Sequence, residues 1–479
     1  MNYKMIIYSV CRIVMAVGAT MIIPLLLSIF YGEGITLSYV IPIAVSLLFG
    51  AAVYIKPPKN KSMYAREGSV IVALAWIIIS LIGALPFYIS RAIPGFVNCL
   101  FETVSGFTTT GSSILLDIEA MPKSLLFWRS FTHWLGGMGV LVFVMTIFSS
   151  KDTRTSYMMR AEMPGPMVGK LASKWKFTVR ILYRIYIALT VLETIFLMLG
   201  GMPLFDSLVH AFGTAGTGGF GIKNSSVAFY DSAYIDYVIS IFMILFGMNF
   251  TVFYLILARK LALIKENNEL KWYLVIIAAA TLIITFNTLP IYKSFSETFR
   301  HSFFQVSSII TTTGYSTADF TRWPMLSQII LLMLMFIGGC AGSTGGGIKV
   351  IRIVILAKIA GNSIKNSASP RSVFSVKSDG KQLEAAVLKG IMTYLVIYMI
   401  VFALSMILVS LDNKDFTTTS TAVLTAISNV GPGLGEIGPA GNFAGFSALS
   451  KIVLSIDMLA GRLELYPILI LFSPHTWKR

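Results

Sequence analysis

Apolar runs of membrane-crossing length constrain this chain before any motif does. "VIVALAWIIISLIGALPFYI", "YVISIFMILFGMNFTVFYLIL" and "IILLMLMFIGGCAG" approach or reach the ~20 residues that an apolar helix needs to cross a bilayer. Inside hydrocarbon, every backbone N–H and C=O must be satisfied within the protein, which leaves helices or closed barrels. Barrel strands alternate polar and apolar residues, and these runs do not. Of 479 residues, 56% are hydrophobic and 13% are charged, against about a quarter charged in a soluble domain. The expected fold is an all-α, multi-spanning membrane protein.

The amino end, with Lys4 and Arg12 around the start of "IVMAVGATMIIPLLLSIF", has the flanks of a signal peptide without a small-residue cleavage pattern, and reads as a retained span. Cys11, Cys99 and Cys340 make an odd total with no paired spacing, so they are expected to pack rather than to form disulfides or a zinc site. The net charge is +16, and position explains it. Basic residues gather in four connectors: Lys56, Lys59, Lys61, Arg66; Lys151, Arg154, Arg160, Lys170, Lys174, Lys176; Arg259, Lys260, Lys265, Lys271; and Lys358, Lys365, Arg371, Lys377, Lys381. The positive-inside rule puts these connectors in the cytoplasm, with both termini. That accounts for the charge without nucleic acid. The connectors 151–180 and 358–381 suit anionic lipid or a docked protein.

Internal repetition organises the rest. Two leading spans, near 5–30 and 37–55, precede four copies of one pattern: apolar helix, shorter re-entrant segment, glycine-containing loop, second apolar helix. The expected units are 1–66, 67–150, 151–265, 266–375 and 376–479, making ten transmembrane helices. The loops are "TTGSS" from Thr109, "TGGFG" from Thr217, "TTGYS" from Thr312 and "NVGPG" from Asn429. Their third-position glycines, Gly111, Gly219, Gly314 and Gly431, are spaced by 108, 95 and 117 residues. The segments before them suit half-length helices. Irregular backbone at membrane depth belongs in buried protein or beside a watery cavity, so the four loops should converge on one pathway. Half-helix carboxyl ends pointed at its centre would favour a cation.

Such loops can replace an ion's water shell with backbone carbonyls. Glycine reaches the backbone angles this requires, and threonine adds a hydroxyl without charge. The filter candidates are Thr109, Thr110, Gly111, Thr217, Gly218, Gly219, Thr312, Thr313, Gly314, Asn429, Val430 and Gly431. Glycines that merely pack helices are the alternative, and four copies in equivalent places favour the pore. Converging Arg or Lys, as an anion pore would need, are missing from these loops. So are the intramembrane acids of a proton relay.

These loops, with "HWLGGMGV" after the first and "GGCAGSTGGGIKVIR" after the third, resemble the Trk/Ktr/HKT superfamily of potassium transporters. The two leading spans and the terminal "LILFSPHTWKR" resemble its TrkH type. The resemblance implies a pseudo-fourfold central pore in one chain, K⁺ ions held in the filter without any covalent cofactor, and a homodimer. It also implies a cytosolic nucleotide-binding ring subunit of the TrkA kind, answering to NAD, ATP or ADP. Glycine at all four filter positions goes with K⁺ in this family; the extra Gly218 and Gly221 in the second loop are a departure. The implied protein is a transporter and not an enzyme.

The run "GGCAGSTGGGIKV" from Gly338 fails as a phosphate-binding loop, because Ile348 displaces Lys349 and Val350 supplies no hydroxyl. Glycine is about 1 kcal/mol worse than alanine within a helix, so the cluster should unwind the third second-helix locally. Gly137, Gly247 and Gly461 occupy similar distances beyond the other loops. A polar segment beneath the filter could obstruct ion passage, and the family resemblance implies a gating loop here. The gate candidates are Gly342, Ser343, Thr344, Gly345, Gly346, Gly347 and Lys349, with Arg462 as a cationic barrier. A passive kink, or Arg462 pairing with Asp457 or Glu464, are the alternatives. His133, His210 and His301 read as packing or hydrogen-bonded residues. Glu102, Asp206, Glu297 and Asp415 are expected to cap the amino ends of the half-helices.

Overall fold

Small residues and caps decide where the long helices touch and where the short ones begin. In the computed structural model, which describes residues 1–54, 58, 60, 63–139, 175–292, 294–369 and 375–477, the first span runs Tyr3–Thr20 and Ile22–Phe30, with Leu37–Tyr54 packed beside it. Gly18 faces Ser46 at the crossing, as close helix approach in a membrane requires. Ala65–Ile89 opens with Glu67 accepting the Tyr64 N–H at 3.1 Å.

Four short helices then recur: Phe96–Phe107, Leu204–Gly216, Phe295–Ile310 and Phe416–Ser428. At 1.5 Å per residue, none is long enough to cross a bilayer. Each follows a long helix (Ala65–Ile89, Trp175–Leu199, Asn268–Tyr292, Ala385–Val409) and precedes another helix (Lys123–Gly137, Ala233–Gly247, Met325–Ile337, Ala448–Arg462). Each of these following helices packs on the next short helix in sequence, and Ala448–Arg462 packs back on Phe96–Phe107. The succession closes on itself. Among the described residues, five helices are long and apolar enough to cross a membrane, or six if the bent pair Ala233–Gly247 and Phe250–Leu257 is one span.

Interruption of the following helices is more general than the glycine run led us to expect. Between Gly247 and Phe250 the axis bends by 91°, with the Asn249 side chain accepting the Thr251 N–H at 2.9 Å. After Arg462 the chain passes through Glu464 (φ +53°) and Leu465 (φ +70°) and resumes as Tyr466–Phe472. Among the described residues, only the interruption in the third unit, Gly338 to Lys349, is built from a glycine cluster; a cap and a left-handed pair make the two after Gly247 and Arg462. A further departure from an all-helical chain is the two-residue antiparallel pair Lys377–Ser378 and Lys381–Gln382. Its turn, Asp379 (φ +48°) and Gly380 (φ +75°), is the Asp-Gly combination that tight hairpins favour.

Arg259, Lys260, Lys265, Lys271, Lys365, Lys377 and Lys381 are exposed. Lys56, Lys59, Lys61, Arg371 and the connector 151–174, with Lys151, Arg154, Arg160, Lys170 and Lys174, lie outside the described residues.

Gly83 marks where the first short helix docks: a side chain there would meet Phe107 at 2.7 Å and Thr103 at 2.8 Å. Gly83→Leu should lower stability by about 1–3 kcal/mol through overpacking, read as an earlier thermal transition in detergent. Gly361→Leu, at a site with open space around it, should leave the transition in place.

Candidate functional site: a ring of four loops over a glycine-rich segment

Each short helix ends with the same backbone device. The N–H groups of Thr110, Gly218, Thr313 and Val430 donate to the carbonyls of Ser105, Gly213, Ser308 and Thr425 at 2.8–3.0 Å. One residue earlier, the N–H groups of Thr109, Thr217, Thr312 and Asn429 donate to Gly106, Thr214, Ile309 and Ala426 at 2.9–3.3 Å. This is the Schellman pairing, which satisfies the last carbonyls of a helix through a left-handed residue, usually glycine. Here the left-handed residues are Thr109 (φ +56°), Thr217 (+57°), Thr312 (+59°) and Asn429 (+55°). A β-branched residue in that region is unusual, and strain of this kind concentrates at functional sites.

Two residues on, Gly111, Gly219, Gly314 and Gly431 take φ of +85°, +75°, +88° and +100°. A side chain on Gly111 would strike the Gly218 carbonyl oxygen; on Gly219, that of Thr313; on Gly314, that of Val430; on Gly431, that of Thr110. The twelve filter candidates therefore come together. Each loop presents a carbonyl to the glycine of its neighbour, and the fourth returns to the first. Asn429 Nδ2 donates to Thr110 Oγ1 at 2.9 Å, and Ser112 Oγ to the Gly431 carbonyl at 3.3 Å. Thr108 and Thr110, and likewise Thr311 and Thr313, share hydroxyl contacts of 2.8 Å. Among the described residues, no group of three or more His, Cys, Asp or Glu side chains converges as a metal site would.

The glycine-rich segment lies against the helix ends that carry this ring. Gly346 N–H donates to Thr312 Oγ1 at 2.6 Å, Gly345 faces the Thr311 carbonyl, and Gly346 faces that of Ser428. Thr344 Oγ1 donates to the Phe246 carbonyl at 3.2 Å, where the second helix breaks. Lys349, itself at φ +86°, folds back so that Nζ donates to the Gly345 carbonyl. Arg462 donates to the carbonyls of Thr344 at 2.6 Å, Gly137 at 2.7 Å, and Gly136. Thr344, Gly345, Gly346 and Lys349 are buried here, whereas Gly342 is exposed and Ser343 half-buried. Gly342 instead accepts from Phe250 N–H at 3.1 Å, away from the ring.

Sequence reasoning missed Glu269 and Arg352, and offered Asp457 and Glu464 to Arg462 where the structure gives them the partners Ser405 and Arg352. Glu269 Oε1 accepts from the N–H of Ala341 at 2.6 Å and of Ile351 at 3.3 Å, joining both ends of the segment. Glu464 pairs with Arg352, whose guanidinium lies 4.2 Å from the Tyr394 ring centre. Asp457 accepts from Ser405 Oγ at 2.8 Å. Glu102 corrects an expectation. It sits mid-helix in Phe96–Phe107, not at the amino end, because it is committed to a buried ion pair with Arg129 at 2.6 Å. Asp415 does cap, accepting the Thr418 N–H at 2.8 Å; Asp206 accepts from the Tyr230 hydroxyl at 2.8 Å, and Glu297 lies in the first turn of its helix. His133, His210 and His301 are hydrogen-bonded through Nδ1 to the Gly106 carbonyl, the Asp206 carbonyl and Thr317 Oγ1 at 2.7–3.0 Å. Cys99 and Cys340 are buried and all three cysteines are free.

On the exposed rim, the Asp117 carboxyl is held below its ordinary range by the Asn224 amide at 2.9 Å. The Lys223 ammonium, 3.0 Å from Glu119, does the same for that side chain.

The family model TrkH, described as a cation transport protein, matches residues 37–479. The chain is similar to the Trk system potassium uptake protein TrkH of Salmonella typhimurium, at 35% identity over 487 residues and 100% of both chains. Its likeness to the protein of the same name from Escherichia coli strain K12 is 34% over the same extent. Among solved structures, it resembles the crystal structure of the potassium transporter TrkH from Vibrio parahaemolyticus with a TM-score of 0.90, 31% identity and 100% of each chain covered.

Gly314→Ala should abolish cation flux, because the new methyl meets the Val430 carbonyl at a positive φ. Gly34→Ala, at φ +71° in open space, carries the backbone strain without the clash and should retain flux. Isotope uptake by cells expressing each variant separates the two effects; equal loss in both would contradict the packing account.

Proposed function

Because the chain belongs to the TrkH family of cation transport proteins, we propose that it carries K⁺ into the cell through the ring of four loops. It is a transporter and not an enzyme. On this reading, two leading helices (1–66) and four helix–loop–helix units (67–150, 151–265, 266–375, 376–479) surround a pseudo-fourfold pore. Ten helices span the bacterial cytoplasmic membrane, with both termini in the cytoplasm. The observation that carries the reading is the cyclic approach of carbonyl to glycine, Gly218 to Gly111, Thr313 to Gly219, Val430 to Gly314 and Thr110 to Gly431.

The proposed passage begins with hydrated K⁺ at the outer mouth. At the ring, the carbonyls of these loops and the hydroxyls of Thr109, Thr110, Thr217, Thr312 and Thr313 take over from water. No charged side chain stands among the twelve loop residues, so the ion is not trapped. Four short helices ending at the ring add their partial negative charge. The membrane potential favours inward movement by about 2.3 kcal/mol per elementary charge per 100 mV.

Below the ring, Gly342 to Gly347 and Lys349 form the gate, with Arg462 as its cationic latch. What supports this is the set of bonds from the segment to Thr312, Phe246 and Arg462, which must break together for the segment to move. A cytosolic nucleotide-binding ring subunit of the TrkA kind would supply that force, and a homodimer would seat it. Exposed cationic side chains such as Lys260, Lys365 and Lys381 suit docking of the ring or anionic lipid.

Reversal potentials in mixed Na⁺ and K⁺ solutions test the filter: a clear preference for K⁺ is expected, and equal permeability would contradict it. Arg462→Ala removes the bonds to Thr344, Gly136 and Gly137 and should raise basal conductance without the partner. Lower or unaltered conductance would contradict the latch. Alanine at Gly345, Gly346 and Gly347 together should likewise loosen gating, since a methyl on Gly346 meets the Ser428 carbonyl.

A further inference from the structure

We propose that the buried ion pair Arg129–Glu102 is a positioning strut that fixes the outer exits of the first and second loops and thereby sets cation selectivity. The inference rests on the filter reading above and adds residues outside the loops to it. Arg129 Nε donates to Glu102 Oε1 at 2.6 Å, with the two side chains 2% and 0% exposed. Glu102 also accepts from Ser113 Oγ at 2.9 Å and from Ile114 N–H at 2.9 Å. Arg129 Nη1 donates to the Gly221 carbonyl at 3.0 Å, and the guanidinium lies 3.5 Å from the Phe220 ring centre.

The points gripped are equivalent. Ser113 stands two residues beyond Gly111, and Gly221 stands two residues beyond Gly219. One charged pair therefore clamps the same position of two neighbouring loops. Among the described residues, the buried ties at the other loops are neutral, and the charged pair Lys414–Glu436 beyond the fourth is exposed. Tyr315 hydroxyl donates to the carbonyls of His210 at 3.1 Å and Phe220 at 3.3 Å, Gln305 Nε2 to Ala318 at 3.1 Å, and Thr421 Oγ1 to Leu434 at 3.2 Å. The second loop, with its extra glycines Gly218 and Gly221, has the most backbone freedom to restrain, and it is held by both Arg129 and Tyr315.

A buried ion pair gives little net stability over an apolar replacement, but removing one partner strands the other charge. Its value here is geometric. Whether a filter selects by cavity size or by the field of its carbonyls, the outcome depends on where those oxygens are held, and supporting contacts must hold a site to a fraction of an ångström.

The test uses the full chain in planar bilayers, with reversal potentials in mixed K⁺ and Na⁺ and a thermal-unfolding check of each preparation. Glu102→Gln keeps the side chain's size and removes its charge, and Arg129→Lys keeps the charge and removes the fork that reaches Glu102 and Gly221 together; the K⁺ over Na⁺ permeability ratio should fall about threefold or more. Ser113→Ala removes one hydroxyl from a half-buried position and should lower the ratio by less. Thr313→Ala, which removes a hydroxyl of the third loop without adding an atom, is measured alongside. If Thr313→Ala lowers the ratio and the strut variants do not, the strut is overturned and the filter reading stands. If none of the variants changes it, both fall. Should Glu102→Gln and Arg129→Lys fail to fold, Ser113→Ala decides: a native ratio overturns the proposal.

Discussion

Backbone must meet backbone at four places in a closed succession, and the rest of the molecule is arranged around that requirement. No residue but glycine fits where the carbonyls of Gly218, Thr313, Val430 and Thr110 approach the neighbouring loops. The short helices deliver the loops to those places, and their Schellman endings release the chain from the helix with its terminal carbonyls already paired. The helices Lys123–Gly137, Ala233–Gly247, Met325–Ile337 and Ala448–Arg462 hold each short helix to the next. Small residues make that possible, as where Gly136 sits against the Phe107 carbonyl and Gly461 against that of Ile427.

Charge inside the membrane is costly and has to be satisfied by protein. This chain meets that cost largely with main-chain carbonyls. Arg462 takes three of them, Lys349 takes Gly345, and Arg352 takes Ile348 in addition to Glu464. Those carbonyls lie at helix ends or within the glycine-rich segment, Gly136 also accepting the Gly139 N–H at 3.0 Å, so the interruptions and the cations they satisfy explain each other. Glu269 is the complementary case, a carboxylate accepting N–H groups from both ends of the glycine-rich segment. In the proposed mechanism these bonds define the resting position of the gate.

The membrane class was legible in the apolar runs, and the convergence of the four loops in the recurring glycines, because both are local patterns that survive without tertiary knowledge. Even the Asp379–Gly380 hairpin carried a readable turn signal that helical patterning overshadowed. Other features depend on partners distant in sequence. Glu102 looked like a cap near a helix start, yet its partner Arg129 is 27 positions away and the Gly221 carbonyl is 92 from Arg129. The breaks after Gly247 and Arg462 were hidden because an asparagine cap and the left-handed Glu464 and Leu465 replace the glycine run. Glu269 was invisible for the same reason: its partners are 72 and 82 positions away.

The central claim is that the four loops bind a dehydrated monovalent cation between their carbonyls. Anomalous diffraction from crystals of the full chain in Rb⁺ tests it most directly. The account predicts peaks on the common axis of the loops, within coordination distance of carbonyl oxygens at Thr110, Gly218, Thr313 and Val430. Ordered Rb⁺ elsewhere in the membrane region, with none on that axis, would contradict it.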